Sequence, residues 1–529
     1  MRYQISEIKI TADEYRDRES RNGLIKKKLL KKLVKLTAGK GKKGRVTLTE
    51  ADISEIEILR ESVDARKKPN VMAVFSVAFA SEKELPVKTY EGDTGFDPRD
   101  IPAFSGNRQR PIVAGFGPCG MFAALVLAMA GAKPIVLERG KPVEDRMKDV
   151  ERFWKEGILD PESNVQFGEG GAGTFSDGKL TTGVRDARIK WVLRQLVEGG
   201  ADPEILYKNR PHIGTDRLRT IVPNIRKRIE ALGGEIRFST RLERIDQREG
   251  ALKGIFVKSR DEEGPEEYIP ADCMIIATGH SAEDTFRMLR EEGLEMRPKP
   301  FSIGVRIEHL QEDIDREQYG DPKLAEVFGH SEYKLNHRCE NGRGVYTFCM
   351  CPGGQVINAS SSKGYGLTNG MSNRARDGKY ANSALLVDVR VEDFQKEGDP
   401  LSGIAFQKKY EKMAWERGDA PGLPVTDYGS FRKKEDDKVR SCLPDFAAEG
   451  ILEAMPHLGK KLKGFDSDDA RMTAVESRSS SPVRIIRDDK LQSTVSGIIP
   501  AGEGPGYAGG IMSAAVDGIK AAQAVLDLE

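Results

Sequence analysis

The sequence is poor in the features that mark secreted, membrane-spanning and nucleic-acid-binding proteins. Its 529 residues include only six cysteines, too few for a disulfide framework, so we expect reduced thiols and a cytoplasmic location. No run approaches the ~18 to 20 apolar residues of a membrane span, and the charged opening lacks the apolar stretch of a signal peptide. The 84 basic and 83 acidic side chains nearly cancel, so we expect no general affinity for nucleic acid.

The chain does contain the patterning of a multidomain protein with both helices and strands. A length of 529 residues exceeds what one hydrophobic core usually supports. Residues 1–90 predict a small α+β domain, and the charged stretch rich in Pro and Gly that follows predicts a linker at 91–110. Residues 111–284 and 495–529 show α/β patterning, whereas 285–494, with strand-like runs between loops, predicts an inserted domain.

A glycine motif points to a bound dinucleotide. Gly115-Phe-Gly117-Pro-Cys-Gly120 follows an apolar strand and opens a long apolar helix. In such a turn the first glycine permits the bend, the second lets the backbone approach a pyrophosphate, and the third lets the helix pack on the strand. Glu138 ends the next strand, 18 residues after Gly120, where an acid is expected to bind a ribose hydroxyl.

Two later segments distinguish FAD from NAD as the dinucleotide. Asp272–Gly279 is an apolar strand that ends in Ala-Thr-Gly, and Gly497–Glu503 is a short apolar strand that ends in Gly and an acid. A glycine-rich helix start follows the second strand at once. Both resemble secondary signatures of flavoproteins with two dinucleotide-binding folds, and their order along the chain favours FAD.

These segments together resemble a known family. The chain is similar to a family of FAD-dependent dehydrogenases that is found in bacteria, with relatives in plants, and whose reaction is largely uncharacterised. This family belongs to the flavoprotein group that includes aromatic hydroxylases. The segments that carry the resemblance are 62–68, 115–120, 137–140, 164–180, 277–286, 347–354, 368–389 and 500–518. Two departures are small: Cys119 stands where Pro-Ala is more usual, and Glu503 stands where Asp is frequent.

The resemblance implies a fold, a cofactor and a reaction class. The expected fold is α/β: a Rossmann-like FAD-binding domain with an inserted α+β substrate domain and a small N-terminal α+β domain. The expected activity is that of an FAD-dependent oxidoreductase that transfers a hydride between a small organic substrate and FAD, with NAD(P)H as a candidate transient donor. Dehydrogenation, reduction of a carbon–carbon double bond and hydroxylation all stay open. The FAD contacts expected are Gly115, Gly117, Pro118, Cys119, Gly120, Glu138, Arg139, Arg146, Gly279, Gly502, Glu503, Gly509 and Gly510.

A second glycine run, Gly168–Gly173, repeats the same pattern but lacks its context. The preceding residues make a poor strand and no apolar helix follows, so we predict that it is no second dinucleotide site. The resemblance implies a loop along the flavin, with Ser176, Asp177 and Lys179 near the ring; a solvated surface turn is the alternative.

Cys349 and Cys351 invite a metal or redox interpretation. With His337 and Cys339 they would complete a zinc set, but the intervening residues predict a hairpin that turns at Asn341-Gly342. In that hairpin Cys339 lies roughly 17 Å from Cys349, at ~3.3 Å per residue, which argues against a shared metal. Cys351 therefore stays a candidate member of a redox pair, or one of two small buried residues.

Three further residues are candidates for catalysis. His280 follows the Ala-Thr-Gly strand directly, so we expect it close to the cofactor. Arg306 and His309 fall on a strand-like run of the inserted domain, where an arginine can bind an anionic substrate and a histidine can move a proton. For each histidine, a structural role is the simpler interpretation.

The stretch from Arg21 to Arg45 contains no acidic residue. It can be interpreted as a docking surface for RNA, an acidic partner or a membrane, which makes an RNA-associated flavoprotein the alternative function. No aromatic residue is interleaved with the charges, which weakens the RNA interpretation. As a helix it would instead present a solvated basic face opposite an apolar stripe of Ile25, Leu29, Leu30, Leu33 and Val34.

Overall fold

The computed structural model describes residues 1–16, 21–38, 47–92, 95–104, 108–260, 264–418, 422–434 and 437–528. The chain divides into two compact units. The first unit comprises Met1–Gly95, Asp202–Pro211 and Leu310–Glu332, and the second comprises Phe96–Ala201, His212–His309 and Tyr333–Glu529.

The strands are β1 (Arg2–Thr11), β2 (Ser54–Asp64), β3 (Met72–Ala80), β4 (Ile112–Ala114), β5 (Ile135–Leu137), β6 (Glu235–Arg237), β7 (Thr240–Arg248), β8 (Ala251–Ser259), β9 (Glu267–Pro270), β10 (Met274–Ile276), β11 (Met296–Pro298), β12 (Phe301–Leu310), β13 (Asn336–Arg338), β14 (Gly344–Asn358), β15 (Thr368–Met371), β16 (Tyr380–Val389), β17 (Val425–Asp427), β18 (Arg471–Glu476), β19 (Val483–Ile485) and β20 (Ile498–Pro500). The α-helices are α1 (Ala12–Arg16), α2 (Arg21–Ala38), α3 (Pro118–Met129), α4 (Val143–Glu156), α5 (Arg188–Glu198), α6 (Thr215–Ala231), α7 (Glu283–Glu291), α8 (Gln311–Tyr319), α9 (Ala325–Phe328), α10 (Ser402–Arg417), α11 (Tyr428–Lys433), α12 (Asp437–Arg440), α13 (Asp445–Lys461) and α14 (Ile511–Leu526).

The first unit is built on a three-stranded antiparallel sheet in the order β1-β3-β2. The basic helix α2 belongs to this unit, and its Ile25, Leu29 and Leu33 are fully buried in the unit's core. The predicted apolar stripe is therefore correct for these three residues. Val34 is 42 % exposed, so the buried stripe is narrower than the predicted one. Burial of one face leaves the lysines of α2 on the other, as a solvated face requires. The rest of the basic stretch, 39–46, lies outside the described residues.

Two segments that the sequence suggested for other domains belong to the first unit. Residues 202–211 join it through backbone hydrogen bonds, in which Glu61 N–H donates to Tyr207 O at 2.9 Å and Asn209 N–H donates to Glu61 O at 2.8 Å. Residues 310–332 join it through apolar packing, because the Phe328 ring lies 5.3 Å from that of Tyr15. Local patterning does not reveal such long-range additions, so the domain predicted at 1–90 is only part of this unit.

The second unit contains the predicted Rossmann-like sheet. Its five strands follow the order β20-β10-β4-β5-β6, and every neighbouring pair is parallel. The chain builds one half of the sheet outward from β4 and then returns to its other side at β10. This arrangement places the topological switch point between β4 and β10, and doubly wound sheets bind ligands at the carboxyl ends of the strands there. The predicted α/β fold class is confirmed.

Most of the segment predicted as an inserted domain is built around a larger, antiparallel sheet with helices, and its bounds at 285–494 stay a prediction. Its strands follow the order β13-β14-β16-β12-β18-β17, with β15 paired to β14. Irregular pairing between β14 and β16 at Phe348–Cys351 produces a bulge at Cys349, whose φ is 43°. Bulges redirect side chains, so this one changes where the two neighbouring thiols point. Throughout the described residues, no helix combines the length and apolarity that crossing a bilayer demands.

Candidate cofactor and active site

The first glycine turn has the close backbone contacts that its motif predicts. Gly115 has a φ of 102°, a conformation that favours glycine. A Cβ added at Gly120 would lie 1.9 Å from the carbonyl oxygen of Gly115, so only glycine lets α3 pack this closely on the turn. Gly117 is the N-cap of α3 and Pro118 its first residue. The turn therefore directs the backbone N–H groups at the start of α3 toward the carboxyl end of the sheet.

A second glycine turn, after β20, packs against the first helix. Gly502 has a φ of 85°, and a Cβ there would lie 2.8 Å from the Cβ of Cys119. A Cβ at Gly518 would lie 2.1 Å from the backbone oxygen of Cys119, so the absence of a side chain there lets α14 pack closely on α3. Burial raises the pKa of the Cys119 thiol well above its usual value, so this cysteine packs the helices rather than reacting. The half-buried Glu503 follows directly after the turn.

Open space surrounds the glycines at the carboxyl ends of the strands. A Cβ at Gly279, Gly509 or Gly510 would meet no atom of the chain within 4 Å, and one at Gly117 would meet only Gly171, at 3.8 Å. Gly510 is the N-cap of α14. Two helix N-termini with open space beside their glycines form an anion-binding cradle, which the pyrophosphate of a dinucleotide fits.

Glu138 is oriented by the backbone around this cradle. Its carboxylate accepts hydrogen bonds from the N–H groups of Phe116, Gly140 and Gly168, each at 2.9 Å. The acid is therefore held at the end of β5, where a ribose hydroxyl is expected, and its role toward a ribose stays a prediction.

Arg146 takes a different position from the one its predicted contact with a pyrophosphate requires. It is fully buried, and its guanidinium donates to the carbonyl oxygens of Asn164, Val165 and Glu169 at 2.7–2.9 Å. Burial lowers the pKa of Arg146 to about 10. Because it is committed to these carbonyls, Arg146 positions the 164–169 loop instead.

Arg139 lines a cleft of about 270 Å³ beside the sheet. It pairs with Glu162 at 2.8 Å and with Asp284 at 2.6 Å, and its guanidinium lies 4.5 Å from the ring centre of Phe167. The other wall contains His280 and the buried pair of Arg478 with Glu411, at 2.7 Å. The cleft thus opens at residues that follow β5 and β10, next to the switch point.

The loop Gly168–Gly173 packs on the first glycine turn. Gly170 N–H donates to Phe116 O at 2.9 Å, and a Cβ at Gly173 would lie 3.4 Å from Ile511 and 3.7 Å from Pro118. The loop therefore passes the first residues of both α14 and α3. It forms a short 3-10 turn over Gly171–Phe175 rather than a strand, turn and helix. That it is no second dinucleotide site stays a prediction.

After this turn, two predicted site residues, Asp177 and Lys179, belong to a buried polar cluster. Asp177 is fully buried and accepts hydrogen bonds from Ser372 and from Arg376, the latter at 2.6 Å and 3.1 Å. Lys179 lies 3.8 Å from the same carboxylate. Burial alone would raise the pKa of Asp177, but Arg376 and Lys179 outweigh it and hold the pKa at about 2. Ser176 donates to the Gly173 carbonyl and so closes the loop.

His212 completes this cluster as a neutral imidazole. Its backbone forms a bridge to that of Lys179, and its Nε2 lies 3.2 Å from both the carbonyl oxygen and the Nη1 of Arg374. Burial and the charge of Arg376 lower the pKa of His212 to about 4, so the ring carries no charge near pH 7.

The two neighbouring cysteines have opposite environments. Cys351 is fully buried, whereas Cys349, on the bulge of β14, is partly exposed. Hydrogen bonding with the Cys351 thiol lowers the pKa of Cys349 to about 7 against the effect of burial, and Arg306 and Lys179 contribute in the same direction. The same hydrogen bond and burial raise the pKa of Cys351. Of the pair, Cys349 is therefore the more exposed thiol and the one with the lower pKa, whereas the predicted Cys351 is buried.

Arg306 and His309 are corrected as candidate catalytic residues. Arg306 is fully buried and pairs with Glu476 at 3.0 Å, while its guanidinium also donates to Asn382 and to the Cys349 carbonyl. His309 donates its Nε2–H to the backbone oxygen of Phe465 at 2.8 Å, and its ring stacks on the Phe465 ring. Both side chains point into the core of the inserted domain because β12 is a central strand, covered on both faces.

His280 reaches the cleft, as predicted from its place after β10, and donates Nε2–H to Arg478 O at 2.8 Å. A catalytic role for it stays a prediction.

Several polar residues of the site went unnoticed in the sequence. Arg376 and Ser372 lie in the segment 368–389 that carries the family resemblance, which was the available signal, but nothing there indicated a partner near residue 177. His212, Arg478 and Glu411 carried no local signal, because each owes its place to contacts far away along the chain.

Comparison with known proteins identifies two regions and one full-length relative. A family model described as "FAD-dependent protein, C-terminal domain-like" matches residues 300–479, and one described as "Domain of unknown function (DUF8436)" matches residues 2–80. An uncharacterized protein of Clostridium beijerinckii is 44 % identical over 510 residues, which cover 91 % of this chain and 94 % of that protein.

Similar solved structures include three proteins of low sequence identity. A flavin-dependent brominase, Bmp2, matches with 12 % identity, a TM-score of 0.38 and coverage of 80 % of each chain. The glycerol-3-phosphate dehydrogenase of Bacillus halodurans complexed with FAD matches with 13 % identity, a TM-score of 0.37 and coverage of 80 % of this chain and 66 % of that one. A geranylgeranyl bacteriochlorophyll reductase-like protein of Thermoplasma acidophilum matches with 12 % identity, a TM-score of 0.36 and coverage of 78 % and 76 %.

Proposed function

The chain belongs to the family of FAD-dependent proteins that includes the Clostridium beijerinckii relative, and on this premise we propose that it is an oxidoreductase. It transfers a hydride between a small organic substrate and FAD. The observation that carries this proposal is the open cradle at the N-termini of α3 and α14, next to a buried cluster of charged groups. When bound, FAD supplies the two-electron chemistry, while the protein binds, orients and excludes water.

The residues of the cradle suit the parts of the cofactor. The N–H groups at the starts of α3 and α14 would hold the pyrophosphate, since both ends carry positive partial charge. Glu138 would bind the ribose, and the adenosine half would extend toward the cleft lined by Arg139. Gly279, Gly509 and Gly510 would allow close approach because they present no side chain.

The substrate would lie on the side of the inserted domain, over the cluster around Asp177. Lys179 and Arg376, with the ionised Asp177 between them, leave one net positive charge there, whose field favours a substrate with a carboxylate or an enolate-like oxygen. The buried Asp177 orients both cations by its short contacts. With a pKa near 7, Cys349 can give or take a proton at the substrate, whereas His212, neutral near pH 7, suits a hydrogen-bonding role.

NAD(P)H is the proposed electron donor, binding only transiently. Within the described part of the chain, the five-stranded parallel sheet with its single glycine turn before α3 is the one dinucleotide fold. A nicotinamide cofactor without its own Rossmann sheet would have to approach FAD from the substrate side.

A glycine substitution tests the cofactor site. Gly117→Val adds a side chain that meets little of the protein but fills the cradle, so the variant should fold and purify without FAD. The matched control is Gly264→Val, in an exposed loop before β9, where a Cβ also meets no atom within 4 Å; this variant should remain yellow. Equal FAD content in both variants would place the cofactor elsewhere.

An anaerobic visible spectrum before and after addition of NADH or NADPH tests the reaction. Bleaching of the flavin absorption by one of the nucleotides would support the oxidoreductase and identify its donor. A yellow protein that neither nucleotide reduces would exclude NAD(P)H as the donor. A colourless protein that cannot be reconstituted with FAD would refute the whole proposal.

A further inference from the structure

We propose that His337, Cys339 and Glu453 form a binding site for a transition-metal ion, with Zn²⁺ as the best match. The site is separate from the cofactor cradle and does not depend on the proposed reaction. It joins the hairpin between β13 and β14 to helix α13. The pair Cys349 and Cys351 takes no part in it.

The ligand atoms of these three residues already converge. One nitrogen of His337, the Cys339 sulfur and one oxygen of Glu453 all lie within 4.8 Å of one another. His337 Nε2 is 3.5 Å from Glu453 Oε1. In a tetrahedral zinc site, bond lengths of about 2.0–2.3 Å separate ligand atoms by roughly 3.3–3.8 Å. The histidine–carboxylate distance therefore fits as it stands, and the two distances to the sulfur, both within 4.8 Å, would shorten when a metal binds.

The local backbone fixes two of the three ligands. Cys339 lies at the hairpin turn, where its N–H donates to Arg343 O at 2.8 Å, and the side chain is only 3 % exposed. Glu453 accepts a hydrogen bond from the Glu340 N–H at 2.8 Å, which orients its carboxylate toward the turn. A metal ligand that is itself held by a backbone N–H has the supporting hydrogen bond common in protein metal sites.

A fourth ligand is available one helical turn further along α13. His457 follows Glu453 by four residues, so both point to the same face of the helix. Its ring stacks on that of His337, with centres 4.1 Å apart and planes 10° apart. Rotation of the exposed His457 side chain would bring a ring nitrogen to the ion, and a water molecule would otherwise complete the tetrahedron.

The types of ligand decide the class of ion. Thiolate and imidazole are the donors that zinc prefers, whereas Mg²⁺ and Ca²⁺ favour oxygen ligands alone. A buried thiol beside an imidazole and a carboxylate is therefore suited to Zn²⁺, or to Co²⁺ as its spectroscopic substitute. Coordination releases the thiol proton and forms the metal–sulfur bond without any redox change.

Titration with Co²⁺ alone tests the site in the full-length protein with its FAD. After treatment with a chelator, the protein should bind one Co²⁺ and develop ligand-field bands at wavelengths longer than the oxidised flavin absorbs. Cys339→Ser should lose these bands and bind at least ten-fold more weakly. The matched control is Cys442→Ser, at another buried thiol, and this variant should titrate like the parent protein.

A second variant covers the case in which Cys339→Ser fails to fold. Glu453→Gln changes a partly exposed side chain, and added Zn²⁺ should raise the thermal midpoint of the parent protein but not of this variant. The proposal is overturned if the parent protein gives no ligand-field bands, or if Co²⁺ binding and the zinc-dependent shift are the same in Glu453→Gln as in the parent.

Discussion

Selective alkylation of Cys349 near neutral pH is the most direct test of the electrostatics around the proposed active site. Its pKa is lowered from 9.0 to about 7 by the Cys351 thiol, aided by Arg306 and Lys179. At pH 7 roughly half of such a thiol is ionised, against about 1 % of one with a pKa of 9. A thiolate of lower pKa is intrinsically about ten-fold less nucleophilic, so the net gain in rate at pH 7 is roughly five-fold.

The pH profile separates this explanation from simple exposure. The second-order rate of alkylation by iodoacetamide, measured from pH 5.5 to 9.5, should level off above a midpoint near 7. Peptide mapping by mass spectrometry should find one label per chain, at Cys349, because the other five cysteines are buried. Cys349→Ala is the control, and it should remove the fast phase completely.

A partner substitution tests the assigned cause. Cys351→Ala removes the largest influence on Cys349, so the midpoint of the alkylation profile should move upward, toward the ordinary value of a thiol. The reasoning fails if the midpoint of the parent protein lies near 9, if the label appears on another cysteine, or if Cys351→Ala leaves the midpoint unchanged.

Three further predictions concern the cofactor turn and two buried charges. Gly120→Ala would place a Cβ 1.9 Å from a backbone carbonyl oxygen, so we expect the ratio of FAD to protein after desalting to collapse, while Gly23→Ala, in open space, keeps it. Burial raises the pKa of Glu169 from 4.5 to about 7, so its contribution to stability is complete below pH 4.5 and is lost as the pH rises through 7. Urea unfolding of the parent protein should show this loss of stability, on the order of 3 kcal/mol, between pH 4.5 and 7, whereas Glu169→Gln should not show it. If both proteins lose the same stability over this pH range, the prediction is wrong. Arg306→Met leaves the buried Glu476 carboxylate without its ion-pair partner, so the free energy of unfolding should fall by about 3–5 kcal/mol. The double variant with Glu476→Leu should regain most of this stability. If Arg306→Met alone is as stable as the parent protein, the ion pair of Arg306 with Glu476 contributes little to stability.

The parts of the fold that were predictable from the sequence are those encoded within a few residues. The turn Gly115–Gly120 and the strand before Gly279 follow from local sterics, since a side chain at Gly120 would collide with its own turn. The apolar stripe of α2 follows from helical periodicity, and it failed only at Val34, on the border of the buried face. The hairpin at Asn341-Gly342 was likewise predictable from turn chemistry, and pairing of Asn336 with Tyr346 confirms it.

What escaped prediction depends on residues that are distant along the chain. Asp177 and Arg376 are separated by 199 positions, and Arg306 and Glu476 by 170. No local pattern distinguishes an arginine that binds a substrate from one that neutralises a buried acid. Arg306 was predicted to be of the first kind because it falls on a strand-like run of the inserted domain, yet β12 is covered on both faces.

The chemical state of each group in the cluster is therefore a property of the assembled site and not of any motif. The pKa of Cys349 is lowered because the Cys351 thiol, Arg306 and Lys179 lie close by. Arg306 in turn remains in place through Glu476. A substitution at Glu476 that leaves the thiols untouched should therefore still change the reactivity of Cys349, because a displaced Arg306 no longer stabilises the thiolate. Such indirect coupling explains why the cofactor can be inferred from short local motifs, while the reaction requires the positions of charges contributed by several separate segments.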